Sequence, residues 1–181
     1  MTVEYNPVQT TPYGIGYKIK SRVWGIINAT LFRFTPFFMR RTRVAMLKLF
    51  GAKIEWDCSI SNGAEIVDPW NLTMGHLSSI DKCCCLRCRD KIVIGEKTCI
   101  ARGVYMLTGS HNVYSPNFEM LTAPIIIGNN VWVATKAMIG KGVVIGDGAV
   151  IASYSNVIKS VEPWSIVGGN PAKFIKKRSI E

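Results

Sequence analysis

No stretch of about 20 uninterrupted apolar residues occurs in the sequence. The longest hydrophobic runs are broken by Arg33, Pro36, Arg40 and Arg41, which excludes a bilayer-spanning helix. Histidine is scarce: His76 and His111 are the only two in 181 residues, so a metal site built from three imidazoles is excluded. Six cysteines are present, but they give a single CxxC spacing, Cys85 to Cys88, with no second pair to complete a zinc framework. No metal is expected. No signal peptide is read ahead of these thiols, and the expected compartment is reducing and cytoplasmic. Acidic residues are nearly missing from the N-terminal part, where residues 1–53 hold nine Lys or Arg and only Glu4 against them. Residues 54–181 hold thirteen basic and eleven acidic side chains, so the net charge of +10 is a local property. A basic segment interleaved with Trp24, Ile26, Leu31, Phe34, Phe37 and Phe38 suits an anionic lipid surface, and no recognition motif accompanies it to suggest nucleic acid.

What the chain does have is a period of six. From Ile127 it divides without a gap into IGNNVW, VATKAM, IGKGVV, IGDGAV, IASYSN and VIKSVE. The first position is always aliphatic (Ile127, Val133, Ile139, Ile145, Ile151, Val157). The fifth is small or β-branched (Val131, Ala137, Val143, Ala149, Ser155, Val161). A six-residue period fits neither a helix nor simple strand alternation, so it marks a supersecondary unit: one flat face of a prism. Three faces make a coil of about 18 residues, and stacked coils place like residues over like as parallel strands. Glycine at the second position and polar residues or glycine at the next two provide tight corners, and proline is absent from this ladder.

Earlier hexads start at Ile54, Ile60, Met74, Ile80, Leu86, Ile94, Ile100 and Met106, with two-residue slips at 72–73 and 92–93. Between Met106 and Ile127 the spacing exceeds one coil by three residues, which marks an inserted loop over residues 107–124 carrying His111, Asn112 and Tyr114. Loops that leave a regular frame are favoured places for chemistry. The expected organisation is an irregular tail and basic amphipathic segment over 1–53, a β-helix over 54–162, and a C-terminal extension over 163–181 that leaves the helix and packs back along it. Within the first segment, residues 17–34 and 38–50 read as two helices split by Pro36. They are expected to cap the first coil, and residues 17–50 are expected to contact anionic membrane peripherally.

The motifs LKLFGAKI, KIVIGEKTCIARGVYMLTGSH and PIIIGNNVWVATKAMIGKGVVIGDGAVIASYSNVIKSVEPWSIVGGNPAKFIKKR resemble the hexapeptide-repeat O-acetyltransferases, most closely the colanic-acid-type polysaccharide enzymes. The resemblance implies an all-β, left-handed parallel β-helix with a short helical cap, a homotrimer, acetyl-CoA as donor and direct transfer in a ternary complex. It implies as acceptor a hydroxyl of a sugar, nucleotide-sugar or lipid-linked oligosaccharide in surface or exopolysaccharide biosynthesis. A sugar hydroxyl is a poor nucleophile near neutrality and needs a general base; His111 takes that role. Many relatives have His-Asp where this chain has His111-Asn112, so another group must orient the imidazole, and a backbone carbonyl suffices. By the same resemblance the Thr135 amide donates to the oxyanion. Trp132, Ala134, Ala152 and Ser153 line the pantetheine arm, while Lys159, Lys173 and Lys176, with Lys177 or Arg178, meet the phosphates of coenzyme A. Asp81, Asp90, Asn112 and Tyr114 are the acceptor contacts. His76 reads as structural, and Cys58 and Cys84 as small inward residues. An antibiotic or serine acetyltransferase and a non-catalytic β-helix scaffold remain as alternatives, since a ladder specifies architecture and not activity.

Overall fold

The structure, a computed structural model, describes residues 13–180; the expected tail lies, over residues 1–12, outside the described residues. Very short strands succeed one another around three faces, and each face is a parallel sheet. The first face stacks Lys53–Ile54, Leu72–Met74, Ile92–Ile94, Ile125–Ile127 and Val144–Ile145. The second stacks Ser59–Ile60, Ser79–Ile80, Cys99–Ile100, Trp132–Val133, Val150–Ile151 and Ser165–Gly168. The third stacks Glu65–Val67, Cys85–Arg87, Tyr105–Leu107, Met138–Ile139 and Asn156–Val157. About six coils result.

The aliphatic first positions and the small fifth positions are the core, since every one of them from Ile127 to Val161 is buried. Removing these columns from water is the main stabilising term, and no turn of the prism achieves it without its neighbours. The chain bends at the fourth position. There Leu77, Cys83, Lys97, Asn130, Lys136 and Tyr154 hold φ between 52° and 61°, a left-handed conformation tolerated because each corner is fixed by the strands on both sides. Second-position glycine answers a different need. A Cβ on Gly95 would come within 2.7 Å of the Gly128 carbonyl carbon, so this edge closes only without side chains.

Coil length varies. Ile54, Met74 and Ile94 stack in one column, as do Ile127 and Ile145, but the earlier coils are the longer ones. The slips at 72–73 and 92–93 are extra residues at the edge between the third and first faces, and Leu72 and Ile92 point inward, fully buried. At the same edge of the third coil the surplus is much larger. Ile94 pairs directly with Ile127, and the chain inserted between them is a hairpin in which Gly109–His111 runs antiparallel to Met120–Thr122.

The N-terminal segment forms helix α1 (Ile15–Ile27), a wider π-type turn (Asn28–Phe32) and helix α2 (Arg40–Leu49). The first regular helix is shorter than residues 17–34. At its end the Thr30 hydroxyl donates to the Ile26 carbonyl at 2.6 Å, a local bond that competes with the helical ladder. Trp24, Phe32, Val44 and Leu47 are buried over the first coil, and the Trp24 indole N–H donates to the Ile66 carbonyl. α1 is further tied by Asp68, a fully buried carboxylate accepting from the Tyr17 and Ser21 hydroxyls and from Arg89 at 3.1 Å. Burial, reinforced by the bond to Asp68, pushes the Tyr17 hydroxyl well above its ordinary range.

The C-terminal extension departs from expectation. Ser165–Gly168 does not leave the prism but adds a sixth rung, pairing in parallel with Val150–Ile151. Only Lys173–Lys177 folds back, antiparallel to that rung. The reason lies in Val161, Ser165 and Val167, which are buried as in earlier coils although Pro163 and Trp164 disguise the hexad.

Candidate active site

His111 ends the first strand of the hairpin with its ring exposed to solvent. Its Nδ1 lies 2.9 Å from the Phe118 carbonyl oxygen, and its ring stacks on the Phe118 ring at 4.4 Å with a 1° interplanar angle. A carbonyl oxygen only accepts, so Nδ1 carries the hydrogen and the Nε2 lone pair is left available. That is the tautomer a base requires. Asn112 has another job: its amide donates to Glu119 Oε1 at 2.7 Å and its oxygen accepts from the Tyr114 N–H at 3.2 Å, which closes the hairpin tip. Tyr114 is almost fully exposed. Below the hairpin, the Asp90 N–H donates to Thr108 Oγ1, and Thr108 in turn donates to the Arg87 carbonyl at 2.7 Å. Asp90 therefore sits at the hairpin's root. Lys159 lies on this same edge in a higher coil, and is exposed.

A second group occupies the edge between the second and third faces. Ala134, Thr135, Ala152 and Ser153 follow the second-face strands of successive coils, and Trp132 projects from its strand half-exposed. The Ala134 and Ala152 amides are used by the ladder, donating to Ile151 and Val167. The Thr135 N–H has no acceptor among the described residues, as is also true of the corner amides of Arg102 and Ser153. Asp81 lies lower on this edge and lines a groove of about 380 Å³ with Arg43, Asn62 and Lys82. Lys173 and Lys176 lie exposed on the folded-back strand beside the second face. Lys177 and Arg178 are engaged in structure: Lys177 donates to Ser165 and the Pro163 carbonyl, Arg178 to the Asn130 and Gly148 carbonyls.

The sequence-predicted residues thus form two groups on different edges of the prism. A face six residues wide separates its edges by roughly 15 to 20 Å, whereas proton transfer requires contact near 3 Å. Within one chain, His111 and Thr135 belong to different edges.

Three of the six cysteines serve the interior. Cys58, Cys84 and Cys88 are buried; the first two donate S–H to the Gly75 and Ala101 carbonyls, each at 3.1 Å. Burial pushes the Cys84 thiol up to about 11 and Cys88 higher still. Among the described residues no three His, Cys, Asp or Glu side chains are grouped to hold a metal. His76 pairs with Asp57 at 3.0 Å, and this bond and charge hold its imidazole above the ordinary range. Sequence reasoning expected a backbone carbonyl to orient His111 without placing it at Phe118, and it missed the Asp68–Arg89 pair that ties α1. The turn-forming Ser115-Pro116-Asn117 signals the Phe118 carbonyl, since it folds residue 118 back toward 111.

Fold and surface together define a parallel β-helix of about six coils with a loop histidine on one edge and small residues along another. Residues 124–159 match the family model described as bacterial transferase hexapeptide (six repeats). WcaF of Escherichia coli K12, assigned as a colanic acid biosynthesis acetyltransferase, is 37% identical over 163 residues, covering 90% of each chain. The chain belongs to the hexapeptide-repeat acetyltransferases. A chloramphenicol acetyltransferase of Klebsiella aerogenes is 62% identical over 110 residues, covering 49% of this chain and 52% of that one. Among solved structures, a hexapeptide-repeat acetyltransferase of Vibrio cholerae O1 biovar eltor in complex with acetyl-coenzyme A superposes with a TM-score of 0.83 at 22% identity. The match covers 95% of this chain and 94% of that one. No helix among the described residues is long and apolar enough to cross a membrane.

Proposed function

We propose that this chain transfers an acetyl group from acetyl-CoA to a hydroxyl of a sugar in surface or exopolysaccharide biosynthesis. The observation that carries the reading is the fixed tautomer of His111: donation from Nδ1 to the Phe118 carbonyl leaves Nε2 to take the acceptor's proton as the hydroxyl attacks the thioester. The open N–H of Thr135 meets the oxyanion developing at the thioester carbonyl. Trp132, Ala134, Ala152 and Ser153 accommodate the pantetheine arm along an edge of small residues, and Lys159, Lys173 and Lys176 neutralise its phosphates. Asp81, Asp90, Asn112 and Tyr114 contact the acceptor.

His111 and Thr135 lie on different edges, which supports a homotrimer whose sites lie between subunits, one chain's hairpin facing the next chain's edge. We read the transfer as direct, as in the ternary complex that the family resemblance implies; the buried Cys84 and Cys88, whose thiol pKa values burial raises, offer no thiolate for an acyl-enzyme. A polysaccharide acceptor draws its support from a relative matched over nine-tenths of both chains. A small antibiotic acceptor is the second reading, supported by the higher identity of a chloramphenicol acetyltransferase over half the chain.

The deciding experiment is mass spectrometry of acetyl-CoA reactions with nucleotide sugars, lipid-linked oligosaccharides and chloramphenicol, run with wild type and His111→Ala. The proposal expects acetylated sugar and a loss of roughly 10² to 10⁴ in kcat for the variant. Acetylated chloramphenicol alone overturns the acceptor, and an active His111→Ala overturns the base.

A further inference from the structure

Capping the first coil accounts for one face of α1 and leaves the opposite one unexplained. Trp24 is buried and Tyr17, Ser21 and Asn28 reach the prism, all on one side of the helix. Ile15, Ile19, Val23 and Ile26 recur at four- and three-residue spacing on the other side, 78, 59, 45 and 60% exposed. The stripe continues in sequence into Leu31, Phe34, Phe37 and Phe38, each at least 66% exposed. Exposed apolar residues scattered singly need no explanation, but an ordered row on a helix does.

The aromatic part of this surface is held in place by a specific device. Arg43 is 3% exposed and has no carboxylate partner among the described residues. It donates to the Pro36 and Phe37 carbonyls at 2.8 and 2.9 Å, to the Thr35 hydroxyl at 3.0 Å and to the Ile60 carbonyl of the first coil at 2.6 Å. A buried cation clamps the backbone of the loop to the prism while its phenyl rings face outward. Lys18, Arg22, Arg33, Arg40 and Arg41 on the same segment are exposed, Lys20 lies over the Trp70 ring at 4.3 Å, and residues 13–50 contain no carboxylate.

We propose that this surface docks on an anionic lipid bilayer, with α1 lying in the interfacial plane and the Phe34–Phe38 loop inserted among the headgroups. Apolar side chains ringed by cations match a surface that is negative outside and hydrocarbon beneath. A face-to-face contact with a second copy fits poorly, because it would press two all-basic segments together, and a head-to-tail contact of the kind a trimer makes is read by the mass measurement below. The inference is independent of the acceptor's identity.

The test uses the full chain with vesicles of phosphatidylcholine alone or mixed with phosphatidylglycerol, read by co-sedimentation. The comparison is a triple variant, Ile19→Ser, Phe34→Ser and Phe38→Ser, at exposed positions that leave the core untouched. Wild type is expected to bind the anionic vesicles, to weaken with added salt, and to bind neutral ones far less. The variant is expected to bind roughly 10- to 100-fold more weakly with unchanged mass in light scattering. Absence of wild-type binding to anionic vesicles, equal binding by the variant, or a changed oligomeric mass in the variant each overturns the proposal, the last by making the surface a subunit contact.

Discussion

Replacing Phe118 by glycine separates the orientation of the proposed base from its chemistry. Phe118 does two things for His111: its carbonyl accepts the Nδ1 hydrogen and its ring stacks on the imidazole at 4.4 Å. The carbonyl survives any substitution; the ring does not. Phe118 also sits at φ 49°, where a side chain costs about 1 kcal/mol that glycine avoids. Against this, glycine's freedom in the unfolded chain costs about 0.5 to 1 kcal/mol, so the backbone effects nearly cancel and the expected destabilisation is that of the lost stack, about 0.5 to 1.5 kcal/mol. Loss of the aromatic stack, about 0.5 to 1.5 kcal/mol, lowers kcat roughly 2- to 12-fold if all of it serves orientation. The assay is steady-state release of free thiol from acetyl-CoA with a saturating acceptor, alongside thermal melting. A folded Phe118→Gly protein with wild-type kcat, or one as impaired as His111→Ala, refutes the reasoning.

Three further outcomes are expected. Asp68→Ala leaves the Arg89 guanidinium and the Tyr17 and Ser21 hydroxyls without their acceptor; because Arg89 is 31% exposed, the expected loss is about 2 to 3 kcal/mol by urea unfolding. His76 is expected to titrate above 6.5 by NMR, and Asp57→Asn to return it toward that value. Its raised pKa means that its stabilisation is complete below pH 6.5 and lost as pH rises through the folded value. The lowered pKa of Asp57 means that its own is present above 3.8 and lost as pH falls through the folded value. Timed iodoacetamide labelling of native protein near pH 8 should modify the exposed Cys83 and Cys99 first and spare Cys58, Cys84 and Cys88; equal labelling rates would mean that the inward thiols are not packed as described.

The body of the fold was legible because the rule behind it is written in every repeat. Aliphatic residues at Ile127, Val133, Ile139, Ile145, Ile151 and Val157 are one column of the core, and the sequence alone places them. Legibility failed where a coil is not built of three six-residue faces. Leu72 and Ile92 look like errors in phase because the edge beneath the hairpin is longer than the others, and Ser165 to Gly168 was hidden by Pro163 and Trp164. At the candidate site, residue types were readable and their grouping was not. The hexad register puts His111 ahead of the face that starts at Ile127 and Thr135 after the strand at Val133, but it does not say which groups on the two edges meet. The orienting carbonyl of Phe118 is signalled only through the turn at Ser115-Pro116-Asn117, since a backbone acceptor has no residue type of its own to recognise.

The hairpin interrupts a coil without disturbing it: Ile94 and Ile127 stand in the same register as Met74 and Ile94, although a much longer stretch of chain intervenes. Closing the longer connection costs about 0.4 kcal/mol more in chain entropy, and the strands below and above fix its two ends. The insertion is therefore a module whose length and content are free to change while the ladder holds its geometry. A transplanted hairpin from a relative with a different acceptor should fold on this frame without recruiting core residues, so that acceptor range is exchanged at the edge and stability is kept in the faces.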